Sequence, residues 1–167
     1  MASLEEVKAV AEKVGGQVRS IGFATSPCII PEVGKPNFRL DGETMSVGMG
    51  IRSEPGIRDS ELLTAEEIAK EAVDAILSDM PFLHGEEAAV LISGLGSTPL
   101  DELYILYNET SRLLSENSII VFHSWVGEYA TSMEMAGLSV SILKVDDEIK
   151  KLLSKPANTP FYTQMQL

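Results

Sequence analysis

The chain has 167 residues, 44% hydrophobic and 23% charged, which is enough to close one core, so residues 1–167 read as a single domain. A net charge of −12 with no Lys/Arg cluster argues against polyphosphate backbones and anionic membrane surfaces, so neither nucleic acid nor a membrane is an expected partner. One cysteine, Cys28, allows no internal disulfide and no thiol zinc motif; together with a start lacking a basic segment and the absence of about 18 consecutive apolar residues, this gives a cytoplasmic expectation.

Ser3 and Glu6 form a capping box, and Leu4, Val7, Val10, Ala11 and Val14 recur at helical spacing until Gly15-Gly16, which predicts a short amphipathic helix. Val18 to Thr25 reads as a strand, and Ser26 to Lys35, with Pro27, Pro31 and Gly34, as a loop. Asp41-Gly42 falls between Phe38-Arg39-Leu40 and the alternating run Met45 to Ile51, a hairpin signal that would deliver two paired strands to Arg52. A loop over 52–63 follows. Thr64 and Glu67 form a second capping box, with Ile68, Ala72, Ile76 and Leu77 as the apolar stripe and Pro81 as the stop. The continuous apolar run Ala88 to Ile92 predicts a strand buried on both faces. It leads through Gly94-Leu95-Gly96-Ser97-Thr98-Pro99 into a helix carrying Leu100, Leu103, Leu106, Leu113 and Leu114. Strands at Ile119 to Trp125 and Leu138 to Val145, a short helix from Asp146 and an extended tail over 154–167 complete the chain. Strands alternating with helices predict an α/β domain, and the early hairpin makes its sheet mixed.

Few residues in this pattern point to chemistry by type and spacing. The Gly94–Pro99 turn between a strand and a helix offers backbone N–H groups to an anion, but it lacks the third glycine of a dinucleotide fingerprint and the Gly-Lys-Ser/Thr of a P-loop. Thr98 as N-cap, Pro99 as first helical residue and Asp101 in the first turn explain most of it structurally. His84 reads as a surface turn, and His123 has no ligand partner at metal spacing. No Gly-x-Ser-x-Gly elbow activates Ser124, Ser132 or Ser139. Asp146-Asp147-Glu148 reads as a charged helix start in preference to a metal site; Glu128, Glu134, Met133 and Met135 read as surface and core. The segment Arg52 to Arg58 is the least explained by structure alone. It holds two cations, the carboxylate of Glu54 and a Pro55-Gly56 turn at the end of a glycine-bearing strand.

Three runs carry a family resemblance. Gly48-Met49-Gly50-Ile51-Arg52-Ser53-Glu54-Pro55-Gly56-Ile57, then Gly94 to Tyr104, then Val126-Gly127-Glu128-Tyr129-Ala130-Thr131-Ser132-Met133-Glu134-Met135-Ala136-Gly137 together resemble the substrate-binding subunit of dihydroxyacetone (glycerone) kinase. The start and end of the chain are similar to it too, so the resemblance covers nearly the whole chain, as the C-terminal half of the family protein. It implies a two-layer domain with a mixed β-sheet and helices mainly on one face.

In the family, dihydroxyacetone is held as a covalent hemiaminal on the histidine of a Gly-Ile-His-x-Glu-Pro-Gly loop, and acid–base groups of the other half assist phosphoryl transfer. The donor is ATP on a separate domain, or a phosphorylated partner subunit. The resemblance therefore implies no cofactor and no metal in this chain. It implies as partners a separate N-terminal-half chain or a nucleotide-binding subunit, a homo-oligomer (a dimer) and a small-molecule ligand. Gly50, Arg52, Glu54 and Gly56 are the implied substrate-binding residues. Arg52 stands in the histidine's place, so no catalytic residue is intact. A guanidinium stays protonated and has no lone pair for attack on a carbonyl, but it holds an oxyanion or phosphate in a forked pair of hydrogen bonds. Position 123 is a second departure, a histidine where the family pattern favours arginine. Two readings stay open: half of a split kinase subunit, inactive alone, or a non-catalytic ligand-binding or regulatory paralogue. An unrelated activity on the same scaffold is a third.

Overall fold

The computed structural model describes residues 2–51 and 54–166. The elements run α1 (Leu4–Gln17), β1 (Val18–Ala24), β2 (Ile29–Ile30), β3 (Lys35–Pro36), β4 (Thr44–Val47), β5 (Arg58–Glu61), α2 (Ala65–Asp79), β6 (Glu87–Gly94), α3 (Leu100–Glu116), β7 (Ile120–Gly127), β8 (Gly137–Val145), α4 (Asp147–Leu153), β9 (Ala157–Asn158) and β10 (Thr163–Gln164). Six strands form one mixed sheet in the order β5-β4-β1-β8-β6-β7, with β6 and β7 parallel and the other neighbours antiparallel. Among the described residues no helix is long and apolar enough to cross a membrane.

Both capping boxes form. Ser3 and Glu6 close the start of α1, Thr64 and Glu67 that of α2, each satisfying otherwise orphaned N–H groups. The apolar stripe of α2 (Ile68, Ala72, Val73, Ile76) and that of α3 (Leu103, Leu106, Leu114) meet over one face of the sheet. There they cover Phe23 of β1, Val90 and Ile92 of β6, and Val140 and Ile142 of β8. The long helices thus lie on one face, as the family resemblance implied. α1 and α4 occupy only one end of the opposite face, where Val14, Ile149 and Leu153 pack on Ala89, Leu143 and Val145. Lys13 clasps them together through Asp146 and Glu148, each at 2.6 Å.

Three elements differ from the sequence reading. The hairpin signal at Asp41-Gly42 is wrong, because Phe38 to Leu40 forms no strand and β4 makes its hairpin with the following strand, β5. β5 escaped notice because Arg58, Asp59 and Glu61 leave it no apolar alternation. Residues 48–57 are therefore the connection of a hairpin and not the exit of one. Gly15-Gly16 does not end α1, which runs into β1 through Val18 in extended conformation. The 154–167 segment is not simply extended: β9 and β10 pair with each other, and Tyr162 between them reaches back to the sheet.

The indole N–H of Trp125, the only tryptophan, donates to the Tyr162 hydroxyl at 2.9 Å, and that hydroxyl donates to Gln164 at 2.5 Å. Tyr162→Phe breaks both bonds and leaves the half-buried indole N–H without its acceptor, a loss of about 1–2 kcal/mol confined to the tail. The expected result is a red-shifted Trp125 fluorescence and faster amide exchange over 157–164, with the global unfolding midpoint nearly unchanged.

Candidate functional site

The second and third sequence motifs meet at the carboxyl ends of β6 and β7. The N–H groups of Leu95 and Ser97 donate to the carbonyls of Gly137 and Met135, both at 3.1 Å, and Ser132 donates to Leu95 at 2.7 Å. Gly96, at φ +131, lies so close to the neighbouring segment that an added Cβ would sit 1.8 Å from the Met133 carbonyl oxygen. The Thr98 hydroxyl donates to the Gly137 carbonyl at 2.7 Å and accepts from the Gly137 N–H at 2.8 Å, so it anchors β8 in place of capping α3, whose N-cap is Pro99. These bonds give Leu95, Ser97 and the Thr98 hydroxyl structural duties, in line with the structural reading of Gly94–Pro99, except that Thr98 does not cap the helix.

The first motif forms the wall of a cleft. After β4, Gly48 turns at φ +81 and donates to the Gly22 carbonyl at 2.7 Å, carrying the chain across β1. The crossing is tight: a Cβ on Gly22 would lie 2.1 Å from the Met49 carbonyl oxygen. Met49 is buried against Ala24, Cys28, Leu95 and Met135 and so pins the loop. Gly50 donates to the Glu54 carbonyl at 3.1 Å, and the Glu54 carboxylate fills the place of the missing side chain, 2.1 Å from where a Cβ would stand. Gly56 backs onto the Ser46 hydroxyl in the same way, at 2.2 Å. Ile57 closes the loop on the Val47 carbonyl at 2.8 Å, and Arg58 is drawn out to Glu71 of α2 at 2.5 Å. Gly50 and Glu54 thus line the cleft described below, whereas Gly56 packs on Ser46 and Val47 outside its lining; Arg52, with Ser53, lies outside the described residues.

The cleft measures about 640 Å³ and runs along β1 from the loop to the end of α2, whose Ala75, Ile76 and Asp79 belong to its lining. Met49, Gly50 and Glu54 line one side; Ser20, Gly22, Ser139, Ser141 and Ser93 form the floor. Ser20 and Ser141 hydroxyls share a hydrogen bond of 2.6 Å. Ser93 is buried, donates to the Gly94 carbonyl and accepts the N–H groups of Tyr129 and Ala130 at 3.2 and 3.3 Å, which fixes the turn after β7. The sequence reading missed this serine floor. Its signal in the sequence is slight: Ser139 and Ser141 alternate with apolar residues on β8, while Ser20 and Ser93 stand singly on β1 and β6.

The remaining candidates have structural duties or none in the cleft. Glu134 accepts the Ile29 N–H at 2.7 Å, Met135 is core, and Asp146 caps α4. His84 lies in an exposed turn. Glu128 leans on Gly94, and burial pushes its carboxyl up from the ordinary value. His123 stacks edge-on against Trp125 at 4.4 Å, and burial lowers its pKa below the ordinary 6.5. The neutral ring is the one the fold accommodates, so stability falls as pH drops through the unfolded value and levels off below the folded one. An NMR titration of His123 is expected to give a midpoint below 6.5, and His123→Gln to flatten the acid slope of stability between those two values.

Comparison with known proteins agrees with this geometry. The Dak1 domain model matches residues 1–161. A dihydroxyacetone-binding subunit of a PTS-dependent dihydroxyacetone kinase from Listeria innocua is 44% identical over 147 residues, 88% of this chain and 45% of that protein. An L-erythrulose kinase from Pectobacterium atrosepticum is 38% identical over 95% of this chain and 28% of its own length. Among solved structures, the dihydroxyacetone kinase operon co-activator DhaQ superposes with a TM-score of 0.85 at 30% identity, over 93% of this chain and 48% of that one. The chain thus spans less than half the length of these relatives. With a family model matched almost from end to end and the same fold in a relative at 30% identity, the chain belongs to the Dak1 domain family.

Proposed function

We propose that this chain is the ketose-binding half of a dihydroxyacetone-kinase-type subunit, serving phosphoryl transfer to a hydroxyl of a short ketose and inactive alone. The observation that carries the reading is the cleft: the glycine loop of the first motif stands over a floor of hydroxyls, with the Glu54 carboxylate in its wall. A small polyol needs such a lining. Glu54 accepts hydrogen bonds from the ligand's hydroxyls, and Ser20, Ser139 and Ser141 both donate and accept. The curated relatives are kinases of dihydroxyacetone and erythrulose, which are neutral ketoses. The phosphoryl donor this reading requires, ATP or a phosphorylated partner subunit, belongs to another domain or chain. A complementary N-terminal-half chain or a nucleotide-binding subunit is the partner this reading requires.

Arg52 sets the chemistry apart. Its guanidinium cannot form a hemiaminal, so binding at this position is non-covalent and favours a ligand carrying negative charge. Calorimetry is expected to show a triose phosphate bound about tenfold more tightly than dihydroxyacetone. Arg52→His is expected to reverse that order and to yield, by intact-mass spectrometry, one dihydroxyacetone adduct per chain. A folded Arg52→His protein with no adduct would sink the reading that the loop keeps the family's pocket. Ligand sensing without turnover ranks second: one similar structure is that of an operon co-activator, whereas the relatives of higher identity are kinases.

A further inference from the structure

The sheet face turned away from α2 and α3 changes character along its strands. Side chains alternate between the two faces of a strand, and Phe23, Val90, Ile92, Val140 and Ile142 lie under the helices, so their neighbours in sequence point the other way. Strand pairing sets these neighbours in rows. Gly22, Ser139 and Ser93 form the row nearest the loop, Ser20, Ser141 and Leu91 the next, and Val18, Leu143 and Ala89 the third. Successive rows on one face lie about 7 Å apart, so a floor of hydroxyls becomes an apolar floor within about 14 Å. Over the apolar end stands a second cavity, of about 270 Å³. Trp125, which pairs with Leu91, belongs to its wall together with Tyr129 and Tyr162, whose rings lie 6.3 Å apart. The two cavities meet, for Leu91 and Ser141 line both.

We propose, resting on the ketose reading of the cleft, that its ligand is a short ketose carrying an alkyl tail, with the ketose oxygens over the serines and the tail in the apolar cavity. An apolar cavity of about 150 Å³ stays dry and accepts a benzene ring, so this one has room for a chain of about six carbons. The floor decides between a tail and a longer sugar. Beyond Ser141 it continues as Val18, Leu143 and Ala89, and sugar hydroxyls brought there would be left without partners beneath them. The Trp125 indole N–H and the Tyr162 hydroxyl are already engaged, the first with Tyr162 and the second with Gln164. Alkyl carbons need no such partners and gain by leaving water.

The test is calorimetry of the full chain with hydroxymethyl ketones bearing ethyl, butyl and hexyl tails, with the methyl ketones of the same tails and a triose phosphate as controls. Affinity is expected to rise about threefold for each methylene added. Each hydroxymethyl ketone is expected to bind about fivefold more tightly than its methyl ketone, through the hydroxyl over the serines. Trp125 reports the tail directly, by emission that shifts to the blue as the chain lengthens. In Val18→Phe, whose ring occupies the cavity, the gain along the series is expected to vanish. A triose phosphate that binds while the series shows no gain overturns the tail and leaves the ketose reading standing; failure of the triose phosphate and of every hydroxymethyl ketone overturns both. Methyl ketones that bind as tightly as their hydroxylated partners overturn the shared ligand, because the cavity then takes apolar molecules on its own. A gain that survives in folded Val18→Phe overturns the placing of the tail. Because the series is measured on the unaltered chain, misfolding of Val18→Phe leaves the decision intact.

Discussion

Gly22→Ala is expected to lower stability by about 3 kcal/mol and to abolish ligand binding in the cleft together. The added methyl would lie 2.1 Å from the Met49 carbonyl oxygen and 3.3 Å from its carbon, with the Leu138 carbonyl at 3.7 Å on another side. All of these are backbone atoms, so no side chain can swing away. Either β1 shifts out of its ladder with β8, or the 48–50 segment lifts off β1 and takes Glu54 with it. Both movements break the Gly48 to Gly22 hydrogen bond and widen the cleft. Chemical denaturation gives the first number and calorimetry with a triose phosphate the second. A variant of wild-type stability with intact binding would show that the crossing is looser than the geometry requires.

Phe23→Ala separates stability from binding. Phe23 is 1% exposed, faces away from the cleft and lies between Val47 and Leu138 under α2 and α3. Truncating such a ring costs about 3–5 kcal/mol, and this site belongs at the upper end. A cavity of about 280 Å³ already borders Phe23, with Met45, Ile68 and Leu106 in its wall, so the neighbours have little reason to collapse inward. For a chain of this size the loss lowers the melting temperature by roughly 8–15 °C. Below that temperature ligand affinity is expected to stay within about twofold of wild type, because the loop rests on Gly22 and Met49. Thermal unfolding and calorimetry on one preparation check both halves.

Helices were the most legible elements, since a capping box followed by an apolar stripe states both where a helix begins and which face it buries. The buried strand β6 is legible for the same kind of reason: its central run Ala88 to Ile92, paired on both sides, is apolar on both faces. β5 was not, because at a sheet edge charge is tolerated and alternation disappears. That omission misplaces the hairpin, although the loop it carries stands out in the sequence by its charges, its Pro55-Gly56 turn and the glycines before it. The resemblance supplied Gly50, Glu54 and Gly56. The serine floor remained hidden because Ser20 on β1 and Ser139 and Ser141 on β8 are distant in sequence and become neighbours only through the β1–β8 register. Thr98 shows a local rule losing to a tertiary one: a good N-cap residue is diverted to the start of β8, where it satisfies both backbone groups of Gly137.

The hairpin that bears the site loop joins the central sheet through only two residue pairs, Phe23 with Val47 and Ala24 with Ser46, whereas β1 and β8 share seven. The hairpin is held less by that short ladder than by its side chains, since Met45 and Val47 are buried in the main core and Met49 in the smaller cluster beside it. A substitution at the loop's described ends, Gly48 to Gly50 or Gly56-Ile57, is therefore felt by the scaffold itself, because those residues lean on Gly22, Ser46 and Val47.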